Sequence, residues 1–329
     1  MENSTCPISS GFTTRSLLPV YCSVFIVGLV ANGWGLKSLL QNWNKLGNVN
    51  VFVLNLGLTD ILHLITLPFL LVSYTMDNKW IFGDALCKIT RFCFSLNIFG
   101  SIGFLTCISV YRYLAIVHPL RVMGRITVTH TAAVSVLVWL LVSVQSLPDM
   151  FFLKTLDNTK RCVDTTDDKH AESYLKYHLT WTLIGFCIPF FITMGCYGHV
   201  IAVICKTNSI DKVLKQRSLK FLVIVILLFS VCYIPYIVSK NLLLWSRVLT
   251  NKGRSPGWIN GVYTARKISS GLVCLNSALN PLVYLHGHEN LGAELRQMLQ
   301  RAWQTVTQLF NRRSHIPMVQ INTDELTCE

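Results

Sequence analysis

The chain carries little charge for its length. Only 14% of its 329 residues are Asp, Glu, Lys or Arg, whereas 52% are hydrophobic; soluble domains average about 25% charged and about 45–50% apolar residues. Cys-x-x-Cys pairs, internal repeats and low-complexity runs are also missing from the sequence. These absences exclude a Cys-x-x-Cys zinc module and a repeat array, and they favour a membrane protein without a separate soluble domain.

The hydrophobic residues are concentrated in long runs. Each run has about 20 residues or more, enough to cross a hydrocarbon core of about 30 Å. We therefore predict an all-α membrane protein, a bundle of seven transmembrane helices within residues 17–285. The predicted spans are Leu17–Leu40, Asn50–Tyr74, Leu86–Ala115, Thr131–Phe152, Tyr177–Cys205, Leu219–Leu244 and Val262–Leu285. Prolines within the spans predict local kinks; they are Pro68, Pro148, Pro189, Pro235 and Pro281.

The segments outside the bundle predict its orientation. Residues 1–16 are polar and should be extracellular, with a glycosylation site at Asn3. The basic stretch between Lys206 and Lys220 is typical of a cytoplasmic loop. Residues 286–310 place apolar side chains at helical spacing and predict an amphipathic helix on the inner membrane surface, followed by a flexible cytoplasmic tail at 311–329. The expected location is the plasma membrane.

Twelve cysteines and a net charge of +13 are further features of the composition. Most cysteines lie inside predicted spans, where cysteine behaves as a small apolar residue. Cys87, at the outer start of the third span, and Cys162, in the outer loop after the fourth, are the pair that we predict to form a disulfide. Basic residues are in excess on the outer side too, which indicates an anionic partner; a solvated basic surface is the alternative.

An ordered series of motif residues runs along the spans. The matches are Asn32, Asn55, Asp60, Cys87, Arg112, Trp139, Pro189, Tyr197, Phe229, the run from Cys232 to Pro235, and the run from Asn280 to Tyr284. With this series the chain resembles the rhodopsin-like family of G-protein-coupled receptors. The resemblance implies a receptor, and not an enzyme, that binds an extracellular small molecule and signals through a heterotrimeric G protein. Membrane lipid is the remaining expected partner, and no nucleic acid is expected.

The resemblance also implies roles for residues inside the bundle. No cofactor is expected apart from an allosteric sodium ion. The residues that the resemblance implies as its ligands are Asp60, Asn97, Ser101, Asn276 and Asn280. The alternative is a protonated Asp60 in a hydrogen-bonded core. The implied activation switch consists of Arg112, Tyr197, Phe229, Tyr233, Pro235 and Tyr284. The chain departs from the family at Tyr111, where an acid usually precedes the arginine, and at Tyr233, usually tryptophan. Loss of the acid would weaken the inactive state and raise basal signalling.

Within that family, the sequence looks closest to the metabotropic nucleotide receptors and their relatives for succinate and oxoglutarate. Arg91 and Lys240 match positions that bind phosphate or carboxylate groups in that branch, and the implied ligand site adds Arg266, Lys267, Arg161 and Asp164. Snorkelling toward lipid headgroups is the alternative for the basic residues. The branch pattern is incomplete, because Ile237 stands where a histidine is usual and Ser270 where an arginine is usual. Arg266, one turn outward of Ser270, is positioned to substitute.

Several functions are compatible with these residues. The first is a receptor for a purine or pyrimidine nucleotide, signalling through Gq and calcium. The second is a receptor for a carboxylate metabolite, a nucleotide-sugar or a lipid phosphate. A seven-span transporter or channel would need a continuous polar path or an internal repeat, and the sequence shows neither. An enzyme would need a nucleophile with a base, whereas His63, His118 and His130 are scattered.

Overall fold

The computed structural model describes residues 8–41, 48–76, 78–119, 125–151, 155–156, 161–162, 170–206, 225–254 and 256–281, together with residue 300; residues 8–17, 155–156, 161 and 204–205 are described by their backbone alone. The chain divides into two units, Met1–Gly287 and His288–Glu329, and only helical Gln300 is described in the second. The predicted surface helix apart from Gln300, the tail, Asn3, Asp164 and Tyr284 lie outside the described residues.

The described part of the first unit is built from helices with one small hairpin. The helices are α1 (Ile8–Gln41), α2 (Asn50–Thr75), α3 (Gly83–Val117), α4 (Val128–Ser146), α5 (Pro148–Phe151), α6 (Ala171–Thr182), α7 (Ile188–Lys206), α8 (Ile234–Asn251) and α9 (Ile259–Leu279). Two π-helical segments, Leu183–Cys187 and Leu228–Tyr233, lead directly into α7 and α8. Strands β1 (Thr155–Leu156) and β2 (Arg161–Cys162) pair antiparallel, with Thr155 opposite Cys162.

Six stretches of helix in the described residues are long and apolar enough to cross a membrane, judged by length and composition. They are Leu18–Gln41, Asn50–Thr75, Gly83–Val117, Val128–Phe151, Ala171–Val203 and Val225–Asn251. The helical membrane class and the first six predicted spans are thereby confirmed. The sixth runs beyond its predicted end at Leu244, because Leu244 and Val248 are buried one turn apart and continue the packed face of α8. Helix α9, the predicted seventh span, is not among the six.

Proline shapes the fifth and sixth spans through the π-helical segments. Pro189 and Pro235 each stand at the second position after such a segment. The backbone N–H groups of Ile188 and Ile234 donate to the carbonyls of Leu183 and Phe229, five residues earlier. A π-turn widens the helix and relieves the clash of a proline ring with the preceding turn. The irregularity predicted at Pro235 is thus a widened turn directly before the proline.

Polar residues fill much of the interior, whereas large apolar side chains point outward. The side chains of Asn32, Asp60, Asn276 and Asn280 are completely buried. Helix α3 also buries several serine, threonine and asparagine side chains along its length. Exposed large hydrophobic side chains are numerous on the outer faces; among them are Ile26, Val30, Leu137, Leu141 and Phe191. An exposed apolar surface of this size fits contact with lipid. Interhelical hydrogen bonds and close packing then hold the bundle together.

Gly100 on α3 packs against Thr59 on α2, and we expect Gly100→Ala to destabilise the bundle. A Cβ at this position would lie 2.7 Å from Cγ2 of Thr59, a stiff β-branched side chain. Overpacking of this kind costs about 1–3 kcal/mol. Gly198→Ala is the matched control, because a Cβ there meets nothing within 4 Å. Thermal unfolding in detergent should show a lower midpoint for the first variant only; equal midpoints would contradict the packing argument.

Candidate functional site

A disulfide joins the start of α3 to the hairpin. The Cα atoms of Cys87 and Cys162 are 5.7 Å apart and their sulfurs are bonded, which confirms the predicted pair. One turn further along α3, Nη2 of Arg91 donates a 2.9 Å hydrogen bond to the carbonyl oxygen of Cys162. We call this end of the bundle the disulfide end. The contact places the guanidinium of Arg91 beside the hairpin.

A cavity of about 150 Å³ opens at the disulfide end, and we call it the cation cavity. Four cationic residues line it: Arg91, Arg247, Arg266 and Lys267. Among the described residues that line it, none is Asp or Glu. Tyrosine and tryptophan rings form part of the wall, from Tyr74, Trp80 and Tyr263. Its charge suits an anion with several oxygen atoms, such as a phosphate group.

Arg266 is the most enclosed of these cations. Its side chain is 3% exposed, and its guanidinium carbon lies 3.9 Å from the ring centroid of Tyr236, which is a cation–π contact. Its Nη1 donates a hydrogen bond to the hydroxyl of Ser270. The guanidinium therefore reaches the position where the nucleotide-receptor branch usually has arginine. Lys267 is half-buried, with Nζ 5.0 Å from the ring centroid of Tyr263.

Lys240 is placed apart from the other predicted cations. It is 4% exposed and lines a second, smaller cavity with Asp149, while the residues lining the cation cavity do not include it. Arg91 and Lys240 therefore line neighbouring cavities instead of a single one. Arg161 belongs to β2, but its side chain is outside the described residues.

Arg247 lines the cation cavity although the sequence-based set did not include it. The sequence contains a pattern that could have identified it. Arg247 follows Lys240 by seven residues, which is about two helical turns, so the two residues share one face of the helix. Asp149 was also missed. It directly follows Pro148, where α4 ends and α5 begins, and a sequence pattern does not show which way a side chain points after such a break.

The implied sodium site forms a connected polar cluster in the middle of the bundle. Nδ2 of Asn280 donates to both carboxylate oxygens of Asp60, at 3.0 Å each, and Nδ2 of Asn97 donates to one of them at 2.9 Å. Ser277 links its hydroxyl to Oδ1 of Asn97 at 3.1 Å, and Nδ2 of Asn32 donates to the backbone oxygen of Ser277 at 2.8 Å. Helices α1, α2, α3 and α9 are thus joined through buried polar groups.

The same cluster contains acceptors suited to a cation. Oδ1 of Asn276 and Oδ1 of Asn280 are buried without a hydrogen-bond partner, and an unsatisfied buried acceptor is costly. The hydroxyl of Ser101 lies 3.4 Å from that of Thr59. A carboxylate with amide and hydroxyl oxygens is the donor set that a hard cation prefers. The residues present therefore fit the sodium ion that the resemblance implies.

Two of the predicted switch residues, Phe229 and Tyr233, belong to an aromatic column beside this cluster. Nδ2 of Asn276 donates a 2.6 Å hydrogen bond to the hydroxyl of Tyr233. The ring centroid of Tyr233 lies 5.7 Å from that of Phe229, and Phe229 contacts Phe190 and Phe186 at 6.1 and 6.3 Å. The two phenylalanines Phe186 and Phe229 belong to the two π-helical segments. The column thus joins the fifth and sixth spans at their irregular turns.

Arg112 and Tyr197 lie toward the opposite end of the bundle. Arg112 is half-buried in the last two turns of α3, beside half-buried Tyr111. Tyr197 is buried, and its hydroxyl forms a 2.5 Å hydrogen bond with that of Ser109. Tyr111 therefore occupies the place of the usual acid without adding a carboxylate beside Arg112.

Comparison with known proteins agrees with this arrangement. The sequence model of the family described as 7 transmembrane receptor (rhodopsin family) matches residues 37–284. The purinoceptor 1 of Gallus gallus is 36% identical over 321 residues, which cover 97% of this chain and 86% of that protein. The protein of the same name from Homo sapiens is 34% identical, with coverages of 97% and 84%.

A further relative, the purinoceptor 4 of Xenopus laevis, is 33% identical over 307 residues, covering 90% of this chain and 56% of that protein. The chain therefore belongs to the rhodopsin family of seven-transmembrane receptors, in the group of these purinoceptors, and it is a receptor and not an enzyme.

Proposed function

We propose that this chain is a plasma-membrane receptor for an extracellular nucleotide and that the cation cavity binds the phosphate groups. The observation that carries the proposal is the wall of Arg91, Arg247, Arg266 and Lys267, without Asp or Glu among its described residues. Guanidinium groups bind phosphate oxygens through paired hydrogen bonds, and lysine adds a mobile charge. Relatives that carry the name purinoceptor support the same ligand class.

The proposed topology places the disulfide end outside the cell. Helix α9 is the seventh span in this proposal, the amino terminus is extracellular, and residues 286–310 form an amphipathic helix against membrane lipid. A disulfide forms in oxidising compartments, which supports the assignment of the Cys87–Cys162 end to the outside. The cation cavity then opens to the extracellular solution, where a nucleotide enters.

Signalling would pass through a heterotrimeric G protein at the opposite end, with Gq and calcium release as the proposed route. Arg112 and Tyr197 would rearrange there, because ligands act by favouring one of two arrangements of the bundle. Packed aromatic side chains change between discrete states, and the Phe229–Tyr233 column would carry that change between the two ends. The missing acid at Tyr111 leads us to propose raised basal activity.

An allosteric sodium ion is the proposed occupant of the Asp60 cluster. Asp60, Asn97, Ser101, Asn276 and Asn280 would hold it, and the two unpartnered amide oxygens support this assignment. The ion would stabilise the arrangement in which α2, α3 and α9 converge on the carboxylate. It would thereby oppose agonist binding.

Loss of a cavity cation should weaken the agonist response. We expect Arg247→Gln and Arg266→Gln each to raise the half-maximal concentration of the active nucleotide roughly tenfold or more, because a charge-assisted hydrogen bond contributes about 1.5–3 kcal/mol. Nucleotide-evoked calcium release in transfected cells is the measurement, with surface expression determined in parallel.

Arg254→Gln is the matched control for these variants. Arg254 is exposed just beyond α8 at the same end of the bundle and does not line the cation cavity. The Arg254→Gln substitution removes the same formal charge as the other two substitutions, but it removes no proposed phosphate contact. If Arg247→Gln and Arg266→Gln respond like wild type, or if all three variants weaken equally, the phosphate assignment is wrong.

Sodium should lower agonist affinity through Asp60. We expect that replacing potassium in the buffer with sodium, at constant ionic strength, weakens binding of a radiolabelled nucleotide agonist. The expected factor is about fivefold or more, a typical coupling between linked sites. Asp60→Asn should remove the sodium effect because it removes the charge of the proposed ligand set. An equal sodium effect in wild type and Asp60→Asn would contradict the ion site.

Arg112→Ala should separate ligand binding from signalling. The residue lies at the end of α3 remote from the disulfide, so the agonist should still bind, while G-protein nucleotide exchange should fall to the level without agonist. Exchange on purified heterotrimers in reconstituted membranes is the measurement. Lys37→Ala, which removes an exposed cation from α1, is the control. Full exchange with Arg112→Ala would rule out the assigned role.

A further inference from the structure

A larger cavity with a mostly apolar wall lies toward the end of the bundle opposite the disulfide, and we call it the apolar cavity. It encloses about 380 Å³, within the range of about 300–1,000 Å³ that is usual for small-molecule sites. It shares no lining residue with the cation cavity. Helices α2, α3, α4 and α7 contribute its apolar side chains, among them Phe52, Cys107, Val110, Leu114, Val134 and Ile192.

The threonines in this wall use their hydroxyl groups within their own helices. The hydroxyl of Thr106 donates to the carbonyl oxygen of Ile102 at 2.8 Å. The hydroxyl of Thr131 donates to the carbonyl oxygen of Val128 at 2.9 Å. Neither hydroxyl proton is left for a ligand, and the wall therefore suits a hydrocarbon chain better than a nucleotide or a sugar.

The apolar cavity borders the outer surface of the bundle. Val134 of α4 and Ile192 of α7 line it and are 40% and 44% exposed. Leu137 and Phe191, on the same two helices, are even more exposed. Exposed apolar side chains of this kind form the surface that contacts lipid. An occupant would therefore enter from the hydrocarbon layer, between the fourth and fifth spans.

A cation adjoins this apolar wall. Arg125 is exposed and lines the cavity from the segment that precedes α4. The next residue, Ile126, accepts a hydrogen bond on its carbonyl oxygen from Nδ2 of Asn48, which ties this segment to the start of α2. Exposed His130 adds an imidazole to the wall. Among the described residues, no Asp or Glu lines the cavity and no ion pair includes Arg125. An anionic group would meet an exposed guanidinium there.

The geometry points to the apolar cavity as a binding site for an anionic membrane phospholipid. A segment of one acyl chain fills the cavity, and the headgroup phosphate pairs with Arg125. Arginine binds phosphate oxygens through paired hydrogen bonds, and basic pockets between transmembrane helices bind anionic headgroups. Under the topology proposed above, this end of the bundle lies in the cytoplasmic leaflet, which carries the anionic lipids.

The site adjoins one end of the predicted activation switch. Half-buried Tyr111 lines the cavity and directly precedes Arg112 in α3. The hydroxyl of Thr106 lies 3.3 Å from that of Thr193, so the third and fifth spans are in contact beside the cavity. A ligand that binds only the folded protein stabilises it. The bound lipid would therefore stabilise the packing of the third, fourth and fifth spans next to Arg112.

Lipid binding to the full chain in detergent, measured by native mass spectrometry, tests the headgroup contact. The probes are phosphatidylserine and phosphatidylcholine, which differ in headgroup charge. Wild type should bind phosphatidylserine about fivefold more tightly, as expected for one cation at a membrane surface, and Arg125→Gln should reduce this preference toward one. Lys206→Gln is the matched control, because Lys206 is exposed at the end of α7 and does not line the cavity. Its preference should equal that of wild type.

A pair of phenylalanine variants tests the acyl-chain contact. Val134→Phe places a ring in the space that the chain would fill, and it should weaken the binding of both lipids several-fold. Val136→Phe is the control, because Val136 is exposed on the same helix and does not line the cavity. Thermal unfolding gives an independent reading. Phosphatidylserine should raise the unfolding midpoint of wild type and Val136→Phe more than that of Val134→Phe.

The possible outcomes decide the proposal. Equal binding of the two lipids by wild type, or an equal loss of preference in Arg125→Gln and Lys206→Gln, would overturn it. Equal lipid binding by Val134→Phe and Val136→Phe would also overturn it. These substitutions all replace exposed residues, so the variants should fold. None of the measurements uses a nucleotide, and a negative result would leave the proposed function standing.

Discussion

The buried carboxyl group of Asp60 is the constraint on which the bundle depends. A polar group in the hydrocarbon layer needs internal partners because water does not reach it. Those partners come from α3 and from the end of α9, through Asn97 and Asn280. Ser277 and Asn32 extend the contacts to α1. These hydrogen bonds fix the positions of the four helices relative to one another along the bundle. The positions of the residues that line the cavities near the disulfide depend on that arrangement.

The cluster also borders the aromatic column. Asn276 donates to Tyr233, and Tyr233 packs on Phe229, so the polar cluster contacts the sixth span directly. The hydroxyl that tyrosine carries, in the place of the family's usual tryptophan, allows this hydrogen bond. Close-packed interiors transmit such changes as steps between packed states. The departure from the family pattern at Tyr233 therefore adds a polar connection to the column.

Hydropathy predicted the first six spans, and the motif residues indicated the disulfide and the polar cluster, because each depends on short patterns along the chain. They did not predict that Lys240 and Arg91 line different cavities or that Asp149 lies beside Lys240. The π-helical segment Leu228–Tyr233 adds a residue to its turn. Every face beyond it is rotated by about 100° from a continuous helical pattern. Pro148 has a similar effect on Asp149, since α4 ends just before it.

The two π-helical segments lie between the cavities at the disulfide end and the opposite end of the bundle. Helix α8 supplies Lys240 to one cavity and Arg247 to the other, and it begins directly after Leu228–Tyr233. A π-turn already departs from regular helical hydrogen bonding, so bending there breaks fewer bonds than bending a regular turn. Phe186 and Phe229 face each other across the two π-helical segments. A ligand that contacts Arg247 in the cation cavity would therefore displace α8 about a joint that contacts the fifth span through aromatic packing.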